Sequence, residues 1–411
     1  MHSGWNYEDM AEISRPGEHG HETLAARALA LIASGQASTR TELGQHLGAP
    51  ASSVSLAVQQ LISRGLVAEE GLQSSTGGRP RKMLRIGHRD EYALAADLGG
   101  SHARIGIVRS GGTREHVTTV PFDLSAGPEA CLDLLDEASA RIAGISAGTL
   151  AAVGLSLPGP VDLAGGWVDS PSRMPGWHRF PIRERLAERF GVTATIGNDA
   201  NMMALGEDAA QHDDSRFSIT VKAGTAIGAG IVIDGRLHLG ANGAAGDITH
   251  VRVLAAGDIP CACGNLGCLE TVASGAALQR ILTERGHTVH STEEVVALVQ
   301  AGDPIANQAA RQAGAYLGEV LSANVNFFNP DTVFLGGILS TLEPFVAAVR
   351  SQLYEGCHPL LTRHLRIERA SLGADAGIVG AGMQALQHAL AATLESISHP
   401  STALLRKEAH V

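Results

Sequence analysis

His250, followed by Cys261-Ala262-Cys263-Gly264-Asn265-Leu266-Gly267-Cys268-Leu269-Glu270, is the stretch that organises the middle of the chain. One imidazole and three thiols fall close together, with one residue between Cys261 and Cys263 and four between Cys263 and Cys268. A Cys3His set suits tetrahedral Zn2+ with every position filled, so the ion would hold structure and leave no place for an activated water. Gly264 and Gly267 let the backbone curl until the thiolates converge. Three of the five cysteines crowd into eight positions, which a scatter of buried free thiols would not produce. Cys131 and Cys357 stand alone. A thiolate site of this kind fits a reducing compartment, so a cytoplasmic location is expected.

The chain has 411 residues, 44% of them apolar, and 49 glycines, as expected of a turn-rich α/β protein of two or three domains. No apolar run approaches the ~20 residues that span a bilayer, so no membrane partner is expected. Glu8, Asp9, Glu12 and Glu18 argue against a secretory signal. The net charge of −11 is uneven: residues 1–90 are neutral, with nine basic and nine acidic side chains, and residues 91–411 carry the whole excess. Within residues 36–89, seven basic side chains face three acidic ones. A basic island on an acidic protein points to one surface for a polyanion.

That island has a recognisable layout. Leu24, Ala28 and Leu31 have helical spacing across residues 22–34, and Gly35 ends the helix. Thr39 and Glu42 have capping-box spacing at the start of a second helix with Leu43 and Leu47 on its apolar side. After the Gly48-Ala49-Pro50 turn, a third helix is predicted over residues 51–64. Val54, Val58, Leu61 and Ile62 form its buried face, leaving Ser52, Ser53, Ser55 and Gln59 outward. Helix, turn, helix is the arrangement that lays a second helix in the major groove, where small polar residues meet base edges and phosphates. Residues 65–68 and 83–86 then read as two strands around a loop ending in Gly77-Gly78-Arg79-Pro80-Arg81-Lys82. Such a wing places Arg79, Arg81 and Lys82 at phosphates or in a narrow minor groove.

From Glu91 the pattern changes. Tyr92-Ala93-Leu94-Ala95-Ala96 is a strand running into Asp97-Leu98-Gly99-Gly100, with a return strand over residues 103–108. The same strand, glycine turn, strand arrangement recurs at residues 218–233 around Lys222-Ala223-Gly224-Thr225-Ala226-Ile227-Gly228, and a later strand, 331–335, closes in Gly336-Gly337. Glycine turns of this kind can offer backbone N–H groups to phosphate. Between them Ala194-Thr195-Ile196 leads through Gly197 into Asn198-Asp199-Ala200-Asn201, with helix expected near Met203 to Glu207. A carboxylate at a strand-to-helix junction serves as base or hydroxyl acceptor, or caps the helix. Two glycine-turn hairpins suggest a duplicated, mixed α/β fold with a cleft between its halves.

Several of these motifs, in this order, resemble the ROK family of repressors, open reading frames and kinases. They are Asp97-Leu98-Gly99-Gly100, Pro158-Gly159-Pro160-Val161-Asp162, Asn198-Asp199-Ala200-Asn201, Ala245-Gly246-Asp247-Ile248-Thr249-His250 and the cysteine motif closing on Glu270. The resemblance implies a two-lobed actin/hexokinase-like (ribonuclease H-like) sugar-kinase fold over residues 91–390. Lobe 1 would take about 91–210 plus the C-terminal helix, and lobe 2 about 211–375, with the zinc site at 250–268. A winged helix-turn-helix at 20–88 would precede it, as in the family's regulators. The resemblance further implies a sugar in the cleft on Asn198, Asp199, Asp247, His250 and Glu270, with phosphate loops at Asp97, Gly99, Gly100, Gly224, Thr225, Gly228, Gly336 and Gly337. In the family's kinases the residue at Asp199 is the base.

The departures from the family pattern bear on chemistry. Ala226 stands where a glycine is usual in the second phosphate loop, Asp247 replaces a glutamate, and the stretch around Ser172 and Arg173 lacks the usual amide. These features favour a sugar-responsive regulator, expected to be a repressor of carbohydrate genes with structural zinc, operator DNA as partner and a homodimeric or homotetrameric assembly. An active ATP-dependent sugar kinase with an accessory DNA-binding domain, using Asp199 as base, is the alternative.

Overall fold

Apolar side chains at helical spacing assemble the N-terminal part of the protein. The computed structural model describes residues 24–33, 37–63, 65–73, 81–87, 91–169, 174–210 and 216–398. The chain divides into two compact units, one of Met1–Arg89 with Leu390–Val411, the other of Asp90–Ala389. In the first, α1 (Leu24–Ala33), α2 (Arg40–Leu47) and α3 (Ala51–Ser63) precede an antiparallel pair, β1 (Val67–Gln73) and β2 (Arg81–Ile86). The predicted capping box is present: Thr39 accepts from the Glu42 N–H, and Glu42 accepts from the N–H groups of Ser38 and Thr39. Val54, Ala57, Val58 and Leu61 of α3 are buried with Ala28, Leu29, Ile32 and Leu43, and Leu390 packs on this core. Ile62 is only half-buried. The opposite side of α3 presents Ser52, Ser55 and Gln59 to solvent, with Ser53 half-buried. Gly35, Gly77, Gly78, Arg79, Pro80, Ser172 and Arg173 lie outside the described residues, and Arg81 is described by its backbone alone.

The second unit holds two five-stranded sheets of the same design. The first contains β3 (Glu91–Leu98), β4 (His102–Arg109), β5 (Arg114–Pro121), β6 (Thr149–Leu157) and β9 (Thr193–Asn198) in the order β5-β4-β3-β6-β9. Helices α4 (Gly127–Ala143) and α5 (Ile182–Phe190) and the short pair β7 (Val161–Asp162) and β8 (Trp167–Val168) complete that half. Helix α6 (Asp199–Ala210) leads to the second sheet, β10 (Phe217–Ala223), β11 (Ile227–Ile233), β12 (Arg236–Leu237), β13 (Thr332–Gly336) and β14 (Arg366–Arg369), in the order β12-β11-β10-β13-β14. In both sheets the first three strands form an antiparallel meander and the last two join in parallel. The duplication suggested by the two glycine turns is thus present strand for strand.

Helices α7 (Glu270–Ala273), α8 (Gly275–Glu284), α9 (Thr292–Gln300), α10 (Pro304–Phe328), α11 (Glu343–Gly356) and α12 (Pro359–Thr362) belong to the second half, and α13 (Ala376–Ser398) is the last described element. Each half has its own core, the first around Leu94, Ile105, Leu132 and Trp177 and the second around Val221, Leu317, Val333 and Phe345.

Helix α6 joins the halves through unusually close packing. A methyl group on Gly228 or Gly230 of β11 would lie 2.8 Å from Cβ of Ala200 or 2.6 Å from Cβ of Ala204. Helices α6 and α13 cross almost backbone to backbone: a Cβ at Gly206 would sit 2.1 Å from the Ala376 carbonyl oxygen, and one at Gly380 1.8 Å from that of Met202. The far end of α6 is anchored by Glu207, fully buried, which accepts from the Ser371 N–H (2.7 Å), the Ser371 hydroxyl (3.0 Å) and the Leu372 N–H (2.8 Å).

This crossing leaves no room for a side chain. Gly380→Ala is expected to destabilise the protein by about 3 kcal/mol or more, the upper range for overpacking, against well under 1 kcal/mol for Gly144→Ala, a solvent-facing control at φ −77° where the added carbon would meet nothing nearer than 3.6 Å. Chemical denaturation of both variants checks the difference.

Candidate functional site

The end of β9 makes the first half of the site. Asn198 donates from Nδ2 to the Gly159 carbonyl (3.0 Å), while its Oδ1 accepts from the N–H groups of Ala200 (3.0 Å) and Asn201 (3.3 Å). This caps α6 at Asp199, several residues before the start expected near Met203. Asn198 therefore does the capping, and Asp199, the first residue of the helix, accepts from Ala200 N–H on one oxygen (2.8 Å). Its other oxygen accepts from Lys222 Nζ at 2.6 Å, an ion pair whose side chains keep 18% and 30% of their surface exposed. Lys222 lies on β10, so the bond joins the ends of the two sheets.

Asp97, at the end of β3, belongs to the same charge group. The Ser156 hydroxyl donates to its Oδ1 at 2.5 Å, and its carboxylate lies against the first turn of α13 at Gly377. Burial pushes the Asp97 carboxyl above the usual carboxylate range, and the attraction of Lys222 and the Ser156 hydrogen bond only partly offset this. Burial would lower the Lys222 ammonium, yet Asp199 and Asp97 together hold it above the ordinary lysine value.

The glycines predicted as phosphate loops are distributed more widely in role. Gly99 and Gly100 form the β3–β4 turn, where Gly99 N–H donates to the His102 carbonyl at 2.8 Å. In the second turn the carbonyls of Gly224 and Thr225 accept from the N–H groups of Gly275 (2.7 Å) and Ala276 (3.1 Å), binding the start of α8. The N–H groups of Thr225 and Ala226 donate to no other described atom. Gly228 packs closely against Ala200, Gly336 faces Met203, and Gly337 lies against the backbone of Ala223.

The third part of the site is the loop from Ala245 to Glu270. Thr249 Oγ1 donates to the Ile227 carbonyl at 2.6 Å, and Glu270 N–H to the Thr249 carbonyl at 3.1 Å. Thr249 thus meets β11 one residue before Gly228, where α6 packs, so the His250 loop and the Asp199 helix converge on the same strand. Asp247 is exposed and Glu270 half-buried, and neither carboxylate bonds to another described side chain. The ligand atoms of His250, Cys261, Cys263 and Cys268 all lie within 4.8 Å of one another. Cys261 Sγ is 3.6 Å from His250 Nδ1, and Cys263 Sγ is 3.7 Å from Cys268 Sγ. A disulfide would bring the sulfurs to about 2 Å, whereas the edge of a zinc–thiolate tetrahedron is about 3.7 Å. Gly264 (φ 91°) and Gly267 (φ 69°) supply the left-handed turns. A backbone hydrogen bond at Asn265 lowers the Cys263 thiol, while burial among its fellow thiols pushes Cys268 up to about 12. The set could hold a metal ion, whose charge would favour the thiolates.

On the basic island, Lys82 is exposed but bonded to Glu69, which also receives Arg40. These two cations hold the Glu69 carboxyl below its usual range, Lys82 having the larger effect.

The ROK family model matches residues 93–388. The chain belongs to the ROK family. Its fold is the mixed α/β, actin-like fold of the family's sugar kinases. It is 29% identical over 312 residues to a glucokinase of Halalkalibacterium halodurans, covering 71% of this chain and 94% of that one. To the xylose repressor of Bacillus spizizenii it is 27% identical over 361 residues, 86% of this chain and 92% of that one. Among solved structures, a ROK transcriptional regulator described as a homologue of Escherichia coli Mlc superposes with a TM-score of 0.75 at 25% identity, covering 91% of this chain and 97% of that one. No helix among the described residues is long and apolar enough to cross a membrane.

Sequence reasoning overlooked Lys222 and Glu207. Lys222 carried a signal: apart from it the chain has only Lys82 and Lys407 as lysines, and it lies in a strand entering a glycine turn. Glu207 carried none beyond its place in a helix.

The raised Asp97 carboxyl has a consequence for stability. An acid whose folded value lies above its unfolded 3.8 loses stability as pH rises between the two values, and the penalty is complete above the folded one. Asp97→Asn is therefore expected to raise the melting temperature near pH 7, with the gain shrinking as pH falls towards 4. Thermal melts across pH 4–8 check it.

Proposed function

We propose that the protein is a sugar-responsive, DNA-binding transcriptional regulator, acting as a repressor of carbohydrate genes. The observation that carries this reading is the Lys222–Asp199 bond at 2.6 Å: the residue in the position of the family's base already has an ammonium partner. A carboxylate in that state accepts a hydroxyl hydrogen bond well and removes its proton poorly. The N-terminal unit supports the same reading. Its α3 turns Ser52, Ser53, Ser55 and Gln59 away from the core, suited to the major groove, with Arg79, Arg81 and Lys82 of the wing at the backbone. The xylose repressor and the Mlc-like regulator match 86% and 91% of this chain, against 71% for the glucokinase. A two-fold operator would call for a homodimer or homotetramer.

In this reading a sugar lies in the cleft where the sheet ends meet, on Asn198, Asp199, Asp247, His250 and Glu270. Asp199, Asp247 and Glu270 supply acceptors for hydroxyls. Zinc held by His250, Cys261, Cys263 and Cys268 would fix the loop and aim the second nitrogen of His250 at the ligand. Kinship with glucokinases and the unbonded N–H groups of Thr225 and Ala226 favour a second reading, an ATP-dependent sugar kinase. ATP consumption over a sugar panel at about 1 s⁻¹ or more, abolished in Asp199→Asn, would establish it in place of the first.

Purified without chelator, the protein is expected to contain one zinc per chain, and Cys263→Ala to lose it together with thermal stability. Elemental analysis and melting curves read both.

Neutralising Lys82 and Arg79 is expected to weaken operator binding and flatten its salt dependence by about one unit of log–log slope for each phosphate left without its cation. A bound sugar should shift operator affinity by about 5- to 150-fold, and Asp199→Ala should abolish that response while leaving DNA binding in place. Fluorescence anisotropy with and without sugar measures both effects.

A further inference from the structure

We propose that Lys222 is the internal counter-ion of the cleft, and that the cleft consequently takes a neutral polyol and turns away its phosphate ester. This rests on the sensor reading above and names the ligand class of the same site.

The charged and titratable groups here come from five elements. Asp97 stands on β3, His102 on β4, Asp199 on α6 and Lys222 on β10, with the Ser156 hydroxyl on β6. Lys222 is the sole lysine between residues 91 and 389. Its ammonium donates to Asp199 at 2.6 Å and attracts Asp97, and no arginine among the described residues bonds to either carboxylate. Asp97, Asp199 and Lys222 together sum to one negative charge, and the Asp247 and Glu270 carboxylates placed on the same ligand above only add to it. A phosphate monoester brings a further −1.5 to −2, roughly, near neutral pH. Even with the ammonium donating to it, the phosphate would stand beside two half-buried carboxylates, Asp97 and Asp199, that one ammonium does not balance. A neutral hydroxyl faces no such conflict. The Asp199 oxygens keep lone pairs beside their present bonds, and the ammonium, with three hydrogens, can donate to a ligand oxygen while it holds Asp199.

This arrangement spans the two sheets, since Asp199 follows β9 of the first and Lys222 lies on β10 of the second. A ligand hydroxyl on Asp199 therefore meets both halves of the protein through one ion pair.

The test is calorimetric titration of the full, zinc-replete chain with glucose, mannose and N-acetylglucosamine, each beside its 6-phosphate. At least one neutral sugar is expected to bind ten-fold or more tighter than its phosphate. Lys222→Met should weaken that sugar at least ten-fold. Adding Asp97→Asn to Lys222→Met restores the original charge sum and should recover most of the affinity, which a merely structural lysine would not allow. Asp97→Asn alone should narrow the gap between sugar and phosphate. Melting curves check that each variant is folded. Tighter binding of a phosphate, with the preference erased by Lys222→Met, would overturn the proposal and leave the sensor reading standing. So would a Lys222→Met defect that Asp97→Asn fails to repair. Failure of every sugar, neutral or phosphorylated, to bind would overturn the sensor reading and the proposal together.

Discussion

Helix α6 is held between the second sheet and α13 by packing that tolerates no extra atom, and the geometry of the site depends on that confinement. Gly228 and Gly230 admit Ala200 and Ala204 from one side, while Gly206 and Gly380 let α13 cross from the other. Protein interiors resist displacement because they are close-packed, so α6 has little freedom to slide. Its first residue, Asp199, is delivered to the junction of the sheets, and its last turn is clamped by Glu207 to the segment entering α13. A carboxylate placed by a helix start is positioned by the whole packing of that helix rather than by its own rotamer.

Electrostatics then decides what such a carboxylate does. The same scaffold serves glucokinases and repressors among the relatives of this chain. Burial makes ionisation of Asp97 costly, and one ammonium, bonded to Asp199, serves two carboxylates without balancing both. A buried ion pair contributes little net stability once desolvation is counted.

Much of this was legible in the sequence, for reasons that differ from residue to residue. The capping box at Thr39 and Glu42 was readable because both partners of a local hydrogen-bond pair are written three residues apart. The strand-turn-strand repeats at Asp97 and Lys222 were readable because glycine marks turns. The Cys3His cluster was readable because thiols are rare and their spacing is constrained. The start of α6 was misplaced, since the cap is an asparagine whose neighbour, Asp199, is an equally good capping residue. Gly228, Gly336 and Gly337 read as phosphate loops, and each also stands at a close approach, to Ala200, Met203 and Ala223. A glycine needed for a close approach and one needed for ligand access look the same in one dimension. The partnership of Lys222 with Asp199 crosses from one sheet to the other, and no local pattern encodes it.

The four ligand groups at the centre of the chain differ in their access to solvent. Cys268 is buried, Cys261 intermediate, and Cys263 exposed on the turn that Gly264 allows. That gradient makes the cluster asymmetric towards reagents in solution: Cys263 is the thiol that an alkylating agent or oxidant reaches first, while Cys268 is shielded by the fold.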